Sequence, residues 1–154
     1  DQISDRSRYM IESLDDMLWS IHPENDSMND TLVRIKEVTE NIMSTYDVNI
    51  DLIFDRRLQQ LTLDMVMRHE LFFFYKETML FLVQGKVCNQ LFVNFKLTHS
   101  KLLLEILTEC NKPQESYQKL LLNKVQKRVD SLNANFEIDN DSKSLSLLLQ
   151  IPVK

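Results

Sequence analysis

The order of residues predicts an α+β fold, a two-layer α/β sandwich in which a mixed sheet is covered on one face by helices and preceded by a protruding helix. Three observations predict it. Segments of helical period interleave with runs of alternating polarity. The alternating runs come as sequence-adjacent pairs joined by short polar loops, as antiparallel strands do. A chain of 154 residues, 44% hydrophobic and 27% charged, is long enough for one core with one element to spare.

The first helical segment carries Ile3, Ser7, Met10, Leu14, Met17 and Ile21 in alternating steps of four and three, the seam of a helix that packs on another helix. So short a seam needs a partner to be stable, and a place on the domain's own surface is the competing reading. Pro23 stops it. After a polar stretch, Asp30 is the expected cap of a second helix marked by Leu32, Ile35, Val38, Ile42 and Met43. Val48, Ile50, Leu52 and Phe54 alternate with largely polar neighbours, which predicts a strand with one face toward a core.

Leu63 to Val83 returns to helical period and is the longest helix, with Val66, Phe72, Phe73, Met79, Leu80 and Val83 near one stripe. Its run Leu71-Phe72-Phe73-Phe74-Tyr75 holds more aromatic surface than one helix face buries. Phe74 or Tyr75 then faces a pocket or partner, or the helix–sheet core is simply thick. Gln90 to Leu97 and Leu102 to Leu107 read as strands around the loop Thr98-His99-Ser100-Lys101. Ser116 to Leu132 is an amphipathic helix through Leu121, Val125, Val129 and Leu132, ended by Asn133 in a left-handed conformation. Ala134 to Asp139 and Ser144 to Pro152 close the chain as a hairpin.

Composition narrows the function. A formal charge of -5 argues against nucleic acid as the main partner, since tracking phosphates needs a clustered basic excess. Cys88 and Cys110 lie far apart in sequence without histidines at ligand spacing, so neither a zinc site nor a disulfide framework is indicated, and a reduced cytoplasmic setting fits. No apolar run reaches the roughly 18 residues that span a bilayer. Asp1 stands already inside a helical pattern, so the chain reads as a piece of a longer protein, compatible with a membrane-anchored or sensory portion upstream. His22, His69 and His99 fall on three different elements and define no catalytic arrangement; packing is the expected role of His69.

Four local words carry a resemblance. They are Leu18-Trp19-Ser20-Ile21-His22-Pro23-Glu24-Asn25-Asp26, the Tyr75-Lys76-Glu77-Thr78-Met79 stretch, the Leu121 to Leu132 helix, and the Phe136 to Val153 hairpin ending in Gln150-Ile151-Pro152. Together they resemble the ATPase domain of bacterial sensor histidine kinases, a fold also found in a chaperone and in gyrase. The resemblance implies that residues 1–26 are the second helix of a dimerisation hairpin with its join, and that residues 27–154 are the ATPase-like domain. It implies a cytoplasmic homodimer held through Ile3, Met10, Leu14, Met17 and Ile21, and a response regulator as a further partner.

The same resemblance shows what this chain lacks. The family's central helix pairs a glutamate with an asparagine one turn later, so that both address a magnesium-bound triphosphate. Glu77 fills the first position and Phe81 the second. Phenylalanine offers magnesium no oxygen. Thr108 stands near the adenine-reading aspartate, and Glu109 is one residue off and on the opposite strand face. Cys110 stands near the first glycine, and the chain has one glycine, Gly85, where the family uses several turns that need it. The segment from Thr108 to Leu121 is too short for a lid, although Lys112 and Lys119 remain as anion contacts. The expectation is a degenerate kinase domain that binds no cofactor and acts as a dimeric signal-transmission or interaction module. The alternative is an active ATP-dependent histidine kinase domain, with ATP and magnesium bound in an atypical pocket and Glu77 as its acid–base residue.

Overall fold

The computed structural model describes residues 27–84, 88–110, 115–141 and 143–153. The heptad seam at Ile3, Met10, Leu14, Met17 and Ile21, the Trp19 join, Gly85 and Lys112 lie outside the described residues, as does the expected boundary at residue 26. The elements run α1 (Met28–Tyr46), β1 (Asn49–Phe54), a 3₁₀ turn (Arg56–Gln60), α2 (Met65–Gln84), β2 (Cys88–Leu97), β3 (Lys101–Cys110), α3 (Glu115–Ser131), β4 (Asn135–Asn140) and β5 (Ser144–Pro152).

The strands form one five-stranded sheet in the order β1-β2-β3-β5-β4. β1 and β2 run parallel, joined through α2, and the remaining pairs are antiparallel, so the sheet is mixed. Strand alternation decides its two faces. On β3 and β5, Leu102, Leu104, Ile106, Leu145, Leu147 and Leu149 are buried under the helices, while their neighbours turn to the other face. All three helices among the described residues cover that one side, α1 against α2 and α2 against α3.

Local chemistry sets the element ends. The cap of α1 is Ser27 rather than Asp30: the Asp30 N–H donates to Ser27 Oγ at 3.1 Å, and the Ser27 hydroxyl donates to the Asp30 carboxylate at 2.7 Å. Asp30 is the acidic residue of the first turn, where the helix dipole favours it. Asp64 caps α2 by accepting from the Met67 N–H at 2.8 Å. Two helix ends need a left-handed residue, and here non-glycine residues supply it: Asp47 (φ 52°) after α1 and Asn133 (φ 53°) after α3, the latter as expected. The β2–β3 hairpin closes where the Thr98 N–H donates to the Lys101 carbonyl at 2.9 Å.

The long central helix departs from the single-stripe expectation. Val66 is 60% exposed, Phe73 is half-buried, and Phe74 and Tyr75 are completely buried. The core is thick, and neither Phe74 nor Tyr75 faces a pocket or a partner. The reason is position: α2 lies between α1 and α3 and on the sheet, so it buries several sides at once. Tyr75 packs on Phe95 of β2 with ring centroids 5.7 Å apart, and Phe74 meets Phe136 of β4 edge-on at 5.2 Å. The Thr39 hydroxyl donates to the Ile35 carbonyl at 2.7 Å, so the Tyr75 hydroxyl, 2.5 Å away, donates to Thr39 and ties α1 to α2.

Candidate functional site

The site expected from the sequence lies along the seam of α2 and α3 and at the end of β3. Two glutamates on α2, Glu70 and Glu77, are two turns apart on one side of the helix and point at α3. Arg128 of α3 stands between them. Its Nε and Nη2 donate to Glu77 Oε1 at 3.2 and 2.9 Å, and its Nη1 donates to both Glu70 oxygens at 3.3 and 3.1 Å. The guanidinium carbon also lies 5.0 Å from the ring centre of Phe73. Burial disfavours the charge of Arg128, but the bonds to Glu77 and then Glu70 outweigh it and raise its pKa further above the ordinary range. Glu77 is therefore the half-buried end of a two-glutamate clamp, with its Oε1 committed to Arg128.

One turn beyond Glu77, Phe81 turns toward the start of α3. Its ring packs on Tyr117 with centroids 4.8 Å apart. Both side chains are half-buried, so two aromatic rings fill the gap between the helices at the position where the resemblance puts a metal-ligating asparagine. Thr108, buried on β3, donates its hydroxyl to the Gln90 carbonyl of β2 at 2.8 Å, within the sheet. Glu109 is exposed, on the side opposite Thr108. Lys119, the expected anion contact, is exposed on α3, and Arg128 pairs with Glu77. The structure thus brings Glu77, Arg128 and Phe73 together, and separately Phe81 and Tyr117.

The sequence reasoning missed Arg128 and Tyr117. A signal existed: Tyr117, Leu121, Val125, Arg128 and Leu132 follow one another at steps of three and four, so both lie on the stripe that meets α2. His69 is half-buried on α2. Burial chiefly, and then the charge of Arg68, hold its pKa below the usual imidazole value, while Glu70 works the other way. Among the described residues, no group of three or more His, Cys, Asp or Glu side chains is placed to hold a metal ion. A shallow cavity of about 90 Å³ lies on the face of the sheet opposite the described helices, lined by Ile53, Phe92, Glu105 and Leu107, and is separate from the α2–α3 seam.

Helices on one face of a mixed sheet in this strand order, with α2 central and α3 against it, make the fold that of the histidine-kinase type of ATPase domain. The particular likenesses are to solved structures. The histidine kinase domain of a blue-light activated histidine kinase from Erythrobacter litoralis EL346 matches with a TM-score of 0.64 over 77% of this chain, at 11% identity. This chain spans 59% of the length of that structure. The catalytic domain of histidine kinase ThkA matches with a TM-score of 0.62 over 82% of this chain and 94% of its own, at 11% identity. The Acinetobacter baumannii histidine kinase AdeS matches with a TM-score of 0.63 over 99% of this chain and 83% of its own, at 10% identity. At such identities the likeness is one of fold. No protein-family model and no curated protein matches the chain. No helix among the described residues is long and apolar enough to cross a membrane.

Proposed function

We propose that this chain is a degenerate ATPase-like domain of a two-component sensor histidine kinase, a pseudokinase that relays signals as a dimeric, cytoplasmic interaction module. The observation that carries the reading is the Phe81–Tyr117 ring contact at 4.8 Å, which puts carbon where magnesium and phosphates need oxygen ligands and open space. The clamp supports it independently. A glutamate whose oxygen accepts two bonds from a guanidinium is poorly placed to take a proton or orient a water. On this reading the chain binds neither magnesium nor ATP, because Phe81 offers magnesium no oxygen.

The dimeric part of the proposal rests on the sequence seam at Ile3, Met10, Leu14, Met17 and Ile21. The association with a response regulator rests on the fold it shares with histidine kinases. A longer chain that includes the preceding phosphoacceptor helix, incubated with γ-labelled ATP and magnesium, is expected to take up no label. Label uptake that Glu77→Gln abolishes would instead establish an active kinase with an atypical pocket.

A further inference from the structure

Two cysteines that lie far apart in sequence meet in the sheet. β2 and β3 pair antiparallel, and Cys88 stands opposite Cys110 at the end of the ladder away from the Thr98–Lys101 turn. Directly opposed residues of an antiparallel ladder have Cα atoms about 5.5 Å apart in a hydrogen-bonded pair and about 4.5 Å in the other kind. A disulfide requires a Cα separation of about 4.4–6.8 Å. Either kind of pair therefore lies within bonding reach without moving a strand. The register shifts between Cys88 and Leu91, where the Cys88 strand carries one extra residue, and Cys88 and Cys110 still stand as partners beyond it. Cys88 is completely buried.

We propose that Cys88 and Cys110 form a redox-reversible dithiol, closed to an intramolecular disulfide by a low-molecular-weight disulfide such as glutathione disulfide. The thiolate of one cysteine attacks a glutathione sulfur, forming a mixed disulfide and releasing one glutathione thiolate. The thiolate of the other cysteine then attacks the protein sulfur of that mixed disulfide and releases the second. The two cysteines are oxidised, glutathione disulfide is reduced to two thiols, and both cysteine protons end on glutathione. The second step is intramolecular between residues held opposite each other, so it outruns attack by a further glutathione. Pairs at the end of a ladder open more readily than those in its middle, which gives the oxidant its access. The bond pins the start of β2, which follows α2, to the end of β3, from which the chain runs on to α3. It makes the spacing of those strand ends respond to redox state.

The test uses the unsubstituted chain. Reduced protein is incubated with glutathione disulfide, unfolded in the presence of iodoacetamide, and examined by intact mass and peptide mapping. The expected product carries no alkyl group, is lighter than the reduced chain by two hydrogens, and yields a joined Cys88–Cys110 peptide that dithiothreitol separates. Two alkylated cysteines, a persistent glutathione adduct or disulfide-linked dimers would each overturn the proposal.

Discussion

Thr39 and Tyr75 show how much one buried hydroxyl depends on its partner. Tyr75 donates to Thr39, and Thr39 spends its own proton on Ile35, so the two substitutions are unequal. Tyr75→Phe removes the donor and leaves Thr39 with one bond; its expected cost is about 0.5–1.5 kcal/mol. Thr39→Val strands the Tyr75 hydroxyl in the core, with an expected cost of about 1–3 kcal/mol. Urea unfolding of the two variants would measure the order, and an equal or reversed pair contradicts the direction of the bond. Burial in the core also pushes the Tyr75 phenol above its ordinary pKa.

At the surface, Asp55 accepts from Arg57 Nη2 at 2.7 Å and Nε at 3.1 Å, and from the backbone N–H of Arg57 and Leu97. The Arg57 side chain foremost, then those backbone bonds, hold its carboxyl well below the usual range. A depressed acid contributes stability above its unfolded-state pKa of about 3.9, and loses it as pH falls below that. The urea midpoint is therefore expected to fall less between pH 7 and pH 3 in Asp55→Asn than in the parent chain. An equal fall would contradict this assignment.

Among the elements, the seam of α2 and α3 is where packing and the candidate site coincide. Arg128 joins two glutamates and covers Phe73, yet its side chain is still 31% exposed, so solvent screening limits what the ion pairs contribute. Arg128→Ala is expected to destabilise the fold by about 1–2 kcal/mol, with Glu70→Gln and Glu77→Gln each costing less. Chemical denaturation decides this, and a Glu77→Gln loss larger than that of Arg128→Ala would show that Glu77 holds more than the clamp.

The strands were legible in the sequence because each buries one face, which writes itself as alternation from Ile50 to Phe54 and from Leu145 to Ile151. The burial of α2 was not. Its less buried side carries Val66, Phe73, Leu80 and Phe81 among Glu70, Lys76 and Glu77, so polarity alone marks no clean stripe. The 3₁₀ turn after β1 was also unforeseen, since its cap, Asp55, reads locally as the polar end of a strand. At the site, Phe81 was singled out from the sequence, but Tyr117, on which its ring packs, becomes visible only once α3 is docked on α2.

At the scale of the whole molecule, the proposal joins this helix–sheet layer to a filled pocket. The core of that layer runs from α1 to β5 through the aromatic contacts of α2. Under the proposal, that layer is the body a dimerisation helix moves. If the Ile3–Ile21 seam pairs two chains, a charge placed in it should separate them, because an unpaired carboxylate in an apolar seam costs more than so short a contact supplies. Leu14→Glu is expected to sediment as a monomer where the parent chain sediments as a dimer; an unchanged dimer would put the interface elsewhere.

The most direct test of the filled pocket is calorimetric titration of the folded chain with a non-hydrolysable ATP analogue and magnesium, carried to concentrations that detect millimolar affinity. The account predicts no saturable heat. Saturable one-site binding would contradict it and require Phe81 and Tyr117 to part.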